Sequence, residues 1–462
     1  MMYQIDFHSP AHVHFIGIGG ISMSGLAEIL LKEGFTISGS DASRSALTSH
    51  LESLGASIAC GQRAENIHSD MDVVVYTAAI HPDNPEFAAA KAAGIPMLTR
   101  AELLGQIMRN YRTAIAVAGT HGKTTTTSMF STLLLAAEKD PTITVGGILP
   151  EIGGNIRVGH SDLFLTEACE YTNSYLSFYP TVSIILNIEE DHMDFFKDIA
   201  DIRSSFHRFA GLLPDDGLLV INGEIEHPEE ITDGIRARFV TYGLTGAENY
   251  SADPDNITWD EKGCASFLLY HQKKPVGPVT LNVPGIHNVS NALAALSAAL
   301  ELGIDFDRAA AGLSSFHGTE RRFQYKGQRQ GVTIVDDYAH HPTEIRATLT
   351  TAAHCHRREL WCVFQPHTYT RTKAFLKEFA QALSLADHVV LTDIYAAREQ
   401  NTIGITSEDL LKELRKTGTD CCYFPTFEEI EKFLQKKCMH GDLLITMGAG
   451  DVLKIGENML ST

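Results

Sequence analysis

The sequence predicts an α/β protein built from three units in series, and three observations carry that prediction. The chain has 462 residues, about three domains at roughly 150 residues each and too many for one ordinary core. Short apolar runs alternate with helical patterns, the rhythm of parallel strands joined by crossover helices. That rhythm restarts near Met108 and again near Thr319, so the expected units are residues 1–108, 109–318 and 319–462.

Composition narrows the function classes. Hydrophobic residues make up 44% of the chain and charged residues 20%, ordinary for a globular protein, and no apolar run approaches the length of a membrane span. The opening "MMYQIDFHSP" has no basic start followed by an apolar core, so export is not expected and cytoplasmic residence is. A net charge of -20 argues against a nucleic-acid surface, against anionic membranes, and for a local positive site wherever an anion binds. The eight cysteines are scattered without C-x-x-C spacing, as expected of reduced thiols in a chain large enough not to need disulfides. A monomer or weak homodimer is expected.

In the first unit, "HVHFIGI", "TISGSD" and "MDVVVYTAA" read as strands and "MSGLAEILLKEG" as a helix. The loop Gly17 to Gly25, "GIGGISMSG", joins strand to helix, and free amides at such a helix start favour a diphosphate. Gly17, Gly19 and Gly20 are in place, while Ser22 holds the third glycine position of the dinucleotide pattern. Asp41 ends the next strand, where a ribose would be held. A dinucleotide, another nucleotide diphosphate and a plain tight turn all remain open on these residues.

The second unit starts with the strand "RTAIAVAG" and the helix "TTTTSMFSTLLLAAE". Between them Gly119, Thr120, His121, Gly122, Lys123 and Thr124 almost match a phosphate-binding loop, except that Val117 stands where the first glycine belongs. Such a loop presents successive amides, puts a lysine ammonium on the β/γ-phosphates and offers a threonine hydroxyl to Mg²⁺. The cation also needs hard oxygen ligands. Glu167 ends the apolar run "DLFLTEA" with Glu170 just beyond, and "NIEEDHMD" offers Glu189, Glu190, Asp191, His192 and Asp194 after the strand "TVSIILNI". In "GIHNVSNALAALSAAL", Asn288 and Asn291 stand one helical turn apart, so both amides share a face. They either cap the helix or contact a nucleotide base or ribose.

The third unit carries strands "VTIVDD", "ELWCVFQP", "HVVLTDI" and "DLLITMGAG". Chemistry gathers at their ends: Arg321, Arg322 and Phe323 at the joint, Asp336, Asp337, Tyr338, His340 and His341 in "VDDYAHHPTE", and His367, Arg371 and Lys373 in "FQPHTYTRTK". A guanidinium fork suits phosphate oxygens, and strand ends are where open α/β sheets keep ligands. Asp-Asp followed by His-His also fits a two-metal hydrolase, although that reading leaves the first two units idle.

In their order and spacing, "HFIGIGGISMSG", "AGTHGKTTTT", "NIEEDHMD", "GIHNVSNALAA", "RRF", "DDYAHHPTEI", "FQPHTYTRT" and "GAGD" resemble the Mur ligase family, which forms amide bonds with ATP in building bacterial peptidoglycan. The resemblance spans nearly the whole chain. It implies Rossmann-like first and third domains around a central ATP-binding P-loop domain, and a reaction joining L-alanine to the lactyl carboxylate of UDP-N-acetylmuramate. ATP is then the co-substrate and Mg²⁺ the cofactor. The family's shortened loop falls on Gly119 to Thr125, with Lys123 on the ATP phosphates and Thr124 on Mg²⁺. Its metal ligands fall on Glu167 and His192, its adenine and ribose contacts on Asn288 and Asn291, and the pair closing the nucleotide site on Arg322 and Asp337. The UDP moiety falls to Gly17, Gly19 and Gly20 with Ser40 and Asp41, which replaces the dinucleotide reading, and the incoming alanine to Tyr338, His367 and Arg371. Motion is implied as well, with nucleotide binding drawing the third domain towards the second. The chain departs from many relatives at Cys169 and Tyr171 in "EACEY", at Thr368 and at Arg398. The rivals are a ligase of the same family that adds a preformed tripeptide and a non-catalytic sensor of ATP and UDP-sugar.

Overall fold

The apolar runs of the first hundred residues form a parallel five-stranded sheet in the structure, a computed structural model that describes residues 3–77, 79–397 and 399–461. Its strands and helices alternate as β1 (His12–Ile16), α1 (Ile21–Lys32), β2 (Thr36–Asp41), α2 (Ala46–Ser53), β3 (Ser57–Cys60), β4 (Val73–Tyr76), α3 (Pro85–Ala92) and β5 (Met97–Thr99). The sheet order is β3-β2-β1-β4-β5, so the middle strand β1 ends directly at the Gly17 loop. Val13, Phe15, Ile16 and Val73 to Val75 are fully buried because crossover helices cover both faces of a parallel sheet.

Helix α4 (Arg100–Met108) leads out of this sheet. Thr99 and Glu102 form a reciprocal capping box at its start, which satisfies two first-turn amides. Gly105 lets α4 lie against backbone: a Cβ there would stand 1.9 Å from the Ser177 carbonyl oxygen. Gly105→Ala is therefore expected to destabilise the protein by about 3 kcal/mol, because backbone cannot yield as a side chain does. Urea unfolding measures this, and a loss below about 1 kcal/mol would show that the contact relaxes.

The second run comprises β6 (Thr113–Ala118), α5 (Lys123–Ala136), β7 (Thr142–Leu149), β8 (Gly154–Arg157), β9 (Leu163–Ala168), β10 (Val182–Ile185), α6 (Ile199–Ala210), β11 (Leu218–Asn222), α7 (Glu229–Thr232) and β12 (Arg238–Gly243). The strand order is β12-β11-β10-β6-β9-β7-β8, parallel except that β7 and β8 are antiparallel. Val117 pairs with Glu167 on β9 and with Ile184 on β10, so three strands deliver their ends side by side. Val117 is a fully buried strand residue. The loop therefore begins at Gly119, which accounts for its short form.

These elements belong to one compact unit, Met1–Tyr242 with Ser297–Asp305; the other is Gly243–Leu296 with Phe306–Thr462. The second unit opens with β13 (Tyr250–Ser251), β14 (Thr258–Trp259), β15 (Cys264–His271) and β16 (Lys274–Pro284), all antiparallel in pairing, with β15 between β14 and β16. The alternating rhythm of the sequence does not announce this antiparallel segment. Helices α8 (Ile286–Glu301), whose residues from Ser297 onwards belong to the first unit, and α9 (Phe306–Ser315) follow.

The remaining chain forms β17 (Gln324–Arg329), β18 (Val332–Asp337), α10 (Pro342–His354), β19 (Leu360–Phe364), α11 (Tyr369–Ala374), α12 (Leu376–Leu383), β20 (His388–Leu391), α13 (Ser407–Lys416), β21 (Asp420–Tyr423), α14 (Phe427–Lys437), β22 (Leu443–Met447) and α15 (Leu453–Ser461). The sheet order is β17-β18-β22-β19-β20-β21, parallel apart from the edge strand β17. Both faces are covered. One core holds Val335, Ile345, Phe364 and Phe379, the other Ile334, Trp361, Ile430 and Ile455, so neighbours Ile334 and Val335 point to opposite faces as strand geometry demands. Among the described residues, no helix is long and apolar enough to cross a membrane.

Candidate functional site

The loop Gly119 to Gly122 of the first unit is held by the residues just past the end of β10. Asn187 Oδ1 accepts from the His121 amide at 2.7 Å, and its Nδ2 donates to the His121 carbonyl at 3.0 Å. Thr120 Oγ1 in turn accepts from the Glu189 amide at 2.9 Å. Gly122 caps α5 with φ 84°, a left-handed conformation that glycine adopts without strain. Lys123 follows as the first helical residue and folds its side chain back over the loop. Its Nζ donates to the Gly119 carbonyl at 2.5 Å, the Thr120 carbonyl at 3.1 Å and Glu170 Oε2 at 2.9 Å. Burial alone would depress the ammonium's pKa, but the Glu170 carboxylate outweighs it and the net shift is upward. The ammonium is therefore charged at every physiological pH.

Thr124 Oγ1 donates to Glu167 Oε2 at 3.1 Å, and Glu167 Oε1 accepts from the Gly146 amide. The pair sets a hydroxyl and a carboxylate side by side at the start of α5, hard oxygen donors of the kind that Mg²⁺ takes. His192 sits in a left-handed conformation, φ 54°, which turns its Nε2 to 3.7 Å from Glu170 Oε1. Its ring lies 4.6 Å from that of Tyr171, whose hydroxyl donates to Asp194 at 2.8 Å. Lys123, Thr124, Glu167 and His192 are thus brought to one place. Glu170 and Asn187, which tie them together, carry only a weak signal in sequence: a polar residue just past a strand end.

The Gly17 loop is fastened by its neighbour strand. The amides of Gly17 and Ile18 donate to the Ser40 carbonyl at 2.9 and 3.0 Å, and the Gly19 amide donates to Asp41 Oδ2 at 2.9 Å. Gly20 caps α1. Ser40 supports the loop through its backbone, since its side chain is fully buried with the hydroxyl donated to Glu86. Burial alone would raise the Glu86 pKa, but bonds with His14, Ser40 and Asn66 hold it below the ordinary value.

The second unit carries the remaining residues. Asn291 Nδ2 donates to Asn288 Oδ1 at 3.1 Å and Asn288 Nδ2 to the Pro284 carbonyl at 2.7 Å, so the two amides share a face as their spacing predicts. The two arginines of "RRF" divide. Arg321 is committed to structure, with Nε on Asp336 Oδ2 at 3.0 Å and Nη2 on the Gly448 carbonyl at 2.7 Å. Arg322 lies over the Tyr338 ring at 5.3 Å with Nη1 3.9 Å from Glu344 Oε1. Asp337 accepts from the amides of Phe323 and Ala339 and from the Thr348 hydroxyl, at 3.1, 2.8 and 3.0 Å. Burial pushes its pKa up to about 6 against the opposing pull of Arg322 and these bonds.

Rings at Tyr338, His340, His367 and Tyr395 form a row with centroids 5.4, 5.5 and 5.8 Å apart, and Arg371 Nη1 stands 3.1 Å from His367 Nδ1. Tyr338, His367 and Arg371 are thereby neighbours. Thr368 caps α11 at φ 64°, and Arg398 lies outside the described residues. Asp336 is taken by Arg321 and Thr446, and His341 caps α10, which leaves little for the two-metal hydrolase.

Family models match three successive stretches: the Mur ligase family catalytic domain over residues 12–112, the Mur ligase middle domain over 117–299 and the Mur ligase glutamate ligase domain over 321–450. The chain is 62% identical to the UDP-N-acetylmuramate--L-alanine ligase of Agathobacter rectalis and 58% identical to that of Lachnospira eligens, each alignment covering 99% of this chain and 100% of the relative. A solved UDP-N-acetylmuramate-alanine ligase from Thermotoga maritima superposes with TM-score 0.79 at 29% identity, covering 97% of this chain and 98% of that one. A murein peptide ligase from Psychrobacter arcticus shares the fold at TM-score 0.69 and 24% identity, covering 98% of each chain.

Proposed function

This chain belongs to the Mur ligase family, and we propose that Lys123, Thr124, Glu167 and Arg322 serve its reaction, the ATP-dependent joining of L-alanine to UDP-N-acetylmuramate in peptidoglycan synthesis. The observation that carries the assignment is the Lys123, Thr124 and Glu167 constellation at the ends of β6 and β9. In this reading the lactyl carboxylate attacks the γ-phosphorus, the bond to the β-γ bridging oxygen breaks, and ADP leaves. The alanine amine then attacks the acyl phosphate carbon, and the C–O bond to phosphate breaks.

Carboxylate and triphosphate repel each other, so the protein's work is positioning and charge neutralisation. Lys123 holds its ammonium on the β/γ-phosphate oxygens. Thr124, Glu167 and His192 would hold Mg²⁺, which would supply charge neutralisation to the phosphate oxygens. Asn288 and Asn291 contact adenine and ribose, and Arg322 and Asp337 close the nucleotide site. Loop residues Gly119, Thr120, His121, Gly122 and Thr125 line the phosphates. The UDP moiety lies along Gly17, Gly19 and Gly20 with Ser40 and Asp41. Arg371 matches the alanine carboxylate by its planar fork, beside Tyr338 and His367. Domains spanning 1–108, 109–318 and 319–462, cytoplasmic residence and a monomer or weak homodimer complete the proposal.

Phosphate release with UDP-N-acetylmuramate, ATP and an acceptor panel tests it. Release should require L-alanine; release only with a preformed tripeptide, or nucleotide binding without release, would overturn the assignment. Glu167→Gln is expected to raise the Mg²⁺ concentration for half-maximal rate about tenfold or more, and an unchanged Mg²⁺ titration would remove Glu167 from the metal site.

A further inference from the structure

Arg100 opens α4 immediately after β5, at the carboxyl edge of the first sheet, where open α/β sheets bind ligands. Its Nη1 donates to Ser22 Oγ at 3.1 Å. Ser22 lies in the first turn of α1, whose first helical bond is from the Ser24 amide to the Gly20 carbonyl at 2.8 Å. The amides of Ile21, Ser22 and Met23 precede that bond and have no intrahelical acceptor.

Among the described residues, Arg100 makes no ion pair. Burial pushes its guanidinium below the ordinary arginine value, as expected when a cation is withdrawn from water without a carboxylate to offset the loss. Such a charge in a chain of net charge -20 needs an anionic partner, and four of its five N–H donors remain beyond the bond to Ser22. The charged group already on the loop is Asp41, whose carboxylate takes the Gly19 amide at 2.9 Å. A diphosphate arriving at the α1 amides meets that negative charge, and the Arg100 fork beside Ser22 compensates it with geometry suited to phosphate oxygens.

We propose that Arg100 binds the diphosphate of the UDP-sugar together with the first-turn amides of α1. This rests on the UDP-sugar reading of the Gly17 loop. The test is calorimetric titration of the full chain with UDP, UDP-N-acetylglucosamine and UDP-N-acetylmuramate, comparing wild type, Arg100→Ala, Arg100→Gln and Arg100→Lys after equal melting temperatures are confirmed. Arg100→Ala and Arg100→Gln should weaken all three ligands by a similar factor of about 10 to 100, raise KM for UDP-N-acetylmuramate to match and leave KM for ATP unchanged. Arg100→Lys should recover part of the loss. Weakening confined to UDP-N-acetylmuramate would put the guanidinium on the lactyl carboxylate instead, and unchanged binding of all three ligands would also overturn the proposal. Failure of the wild type to bind any of them would instead fail the UDP-sugar reading itself.

Discussion

Lys123→Ala is expected to lower L-alanine-dependent phosphate release by about a thousandfold or more, since one preorganised charge on a transferring phosphoryl group contributes several kcal/mol to the transition state. The same substitution carries a stability cost of separate origin. The Glu170 side chain is only 3% exposed and has Lys123 Nζ at 2.9 Å, so removing the ammonium strands a buried carboxylate, at about 3–5 kcal/mol. Coupling Lys123→Ala to Glu170→Gln should restore most of the melting temperature and none of the activity. Those two measurements separate the roles. A single variant that turns over normally would remove Lys123 from the chemistry, while a double variant as unstable as the single one would show that the ion pair does not hold the loop.

Asp337→Asn is expected to use ATP about 10- to 100-fold less efficiently, because the amide loses the charge that Arg322 faces. It should also lose the pH dependence of stability that the carboxyl brings, at the cost of a bond that its NH2 cannot accept from Ala339 or from Phe323 and Thr348. The sign follows from proton linkage. The Asp337 pKa is pushed up from 3.8 to about 6 by burial, so the folded state binds the proton more tightly than the unfolded chain. Stability from this group is fully present below pH 3.8 and declines as pH rises to about 6. A shift of that size corresponds to about 3 kcal/mol lost at neutral pH. The difference in melting temperature between wild type and Asp337→Asn should therefore shift in the variant's favour as pH rises from about 4 to about 7, because only the wild type loses stability through this group. Parallel curves would show that Asp337 titrates normally, and an unaltered KM for ATP would remove it from the nucleotide site.

Much of the architecture was readable in the residues. Buried parallel strands such as "TAIAVA" and "VTIVDD" are apolar because water is excluded from both faces, and they coincide with β6 and β18. The pairing of Asn288 and Asn291 follows from helical spacing alone. The antiparallel β15 and β16 were not readable as such, since "SFLLYHQKKPVGPVTLNV" breaks the strand-helix alternation without naming its partners. Nor does sequence separate Arg321 from Arg322: adjacent side chains differ only in what the fold sets around them.

By itself, then, the sequence determined the α/β class, the Gly-Lys-Thr loop between strand and helix, and the acidic residues waiting at strand ends, because periodicity and local backbone chemistry are short-range properties. The tertiary structure alone decided that β9 and β10 flank β6, so that Glu167 meets Thr124 and Asn187 braces His121. It also decided that Glu170 pairs with Lys123, that Asp337 is buried deeply enough to shift its proton, and that Arg100 stands against Ser22 without a carboxylate. Register between distant strands and the dielectric around a charge are set by the whole packed chain, and no local stretch of residues encodes them.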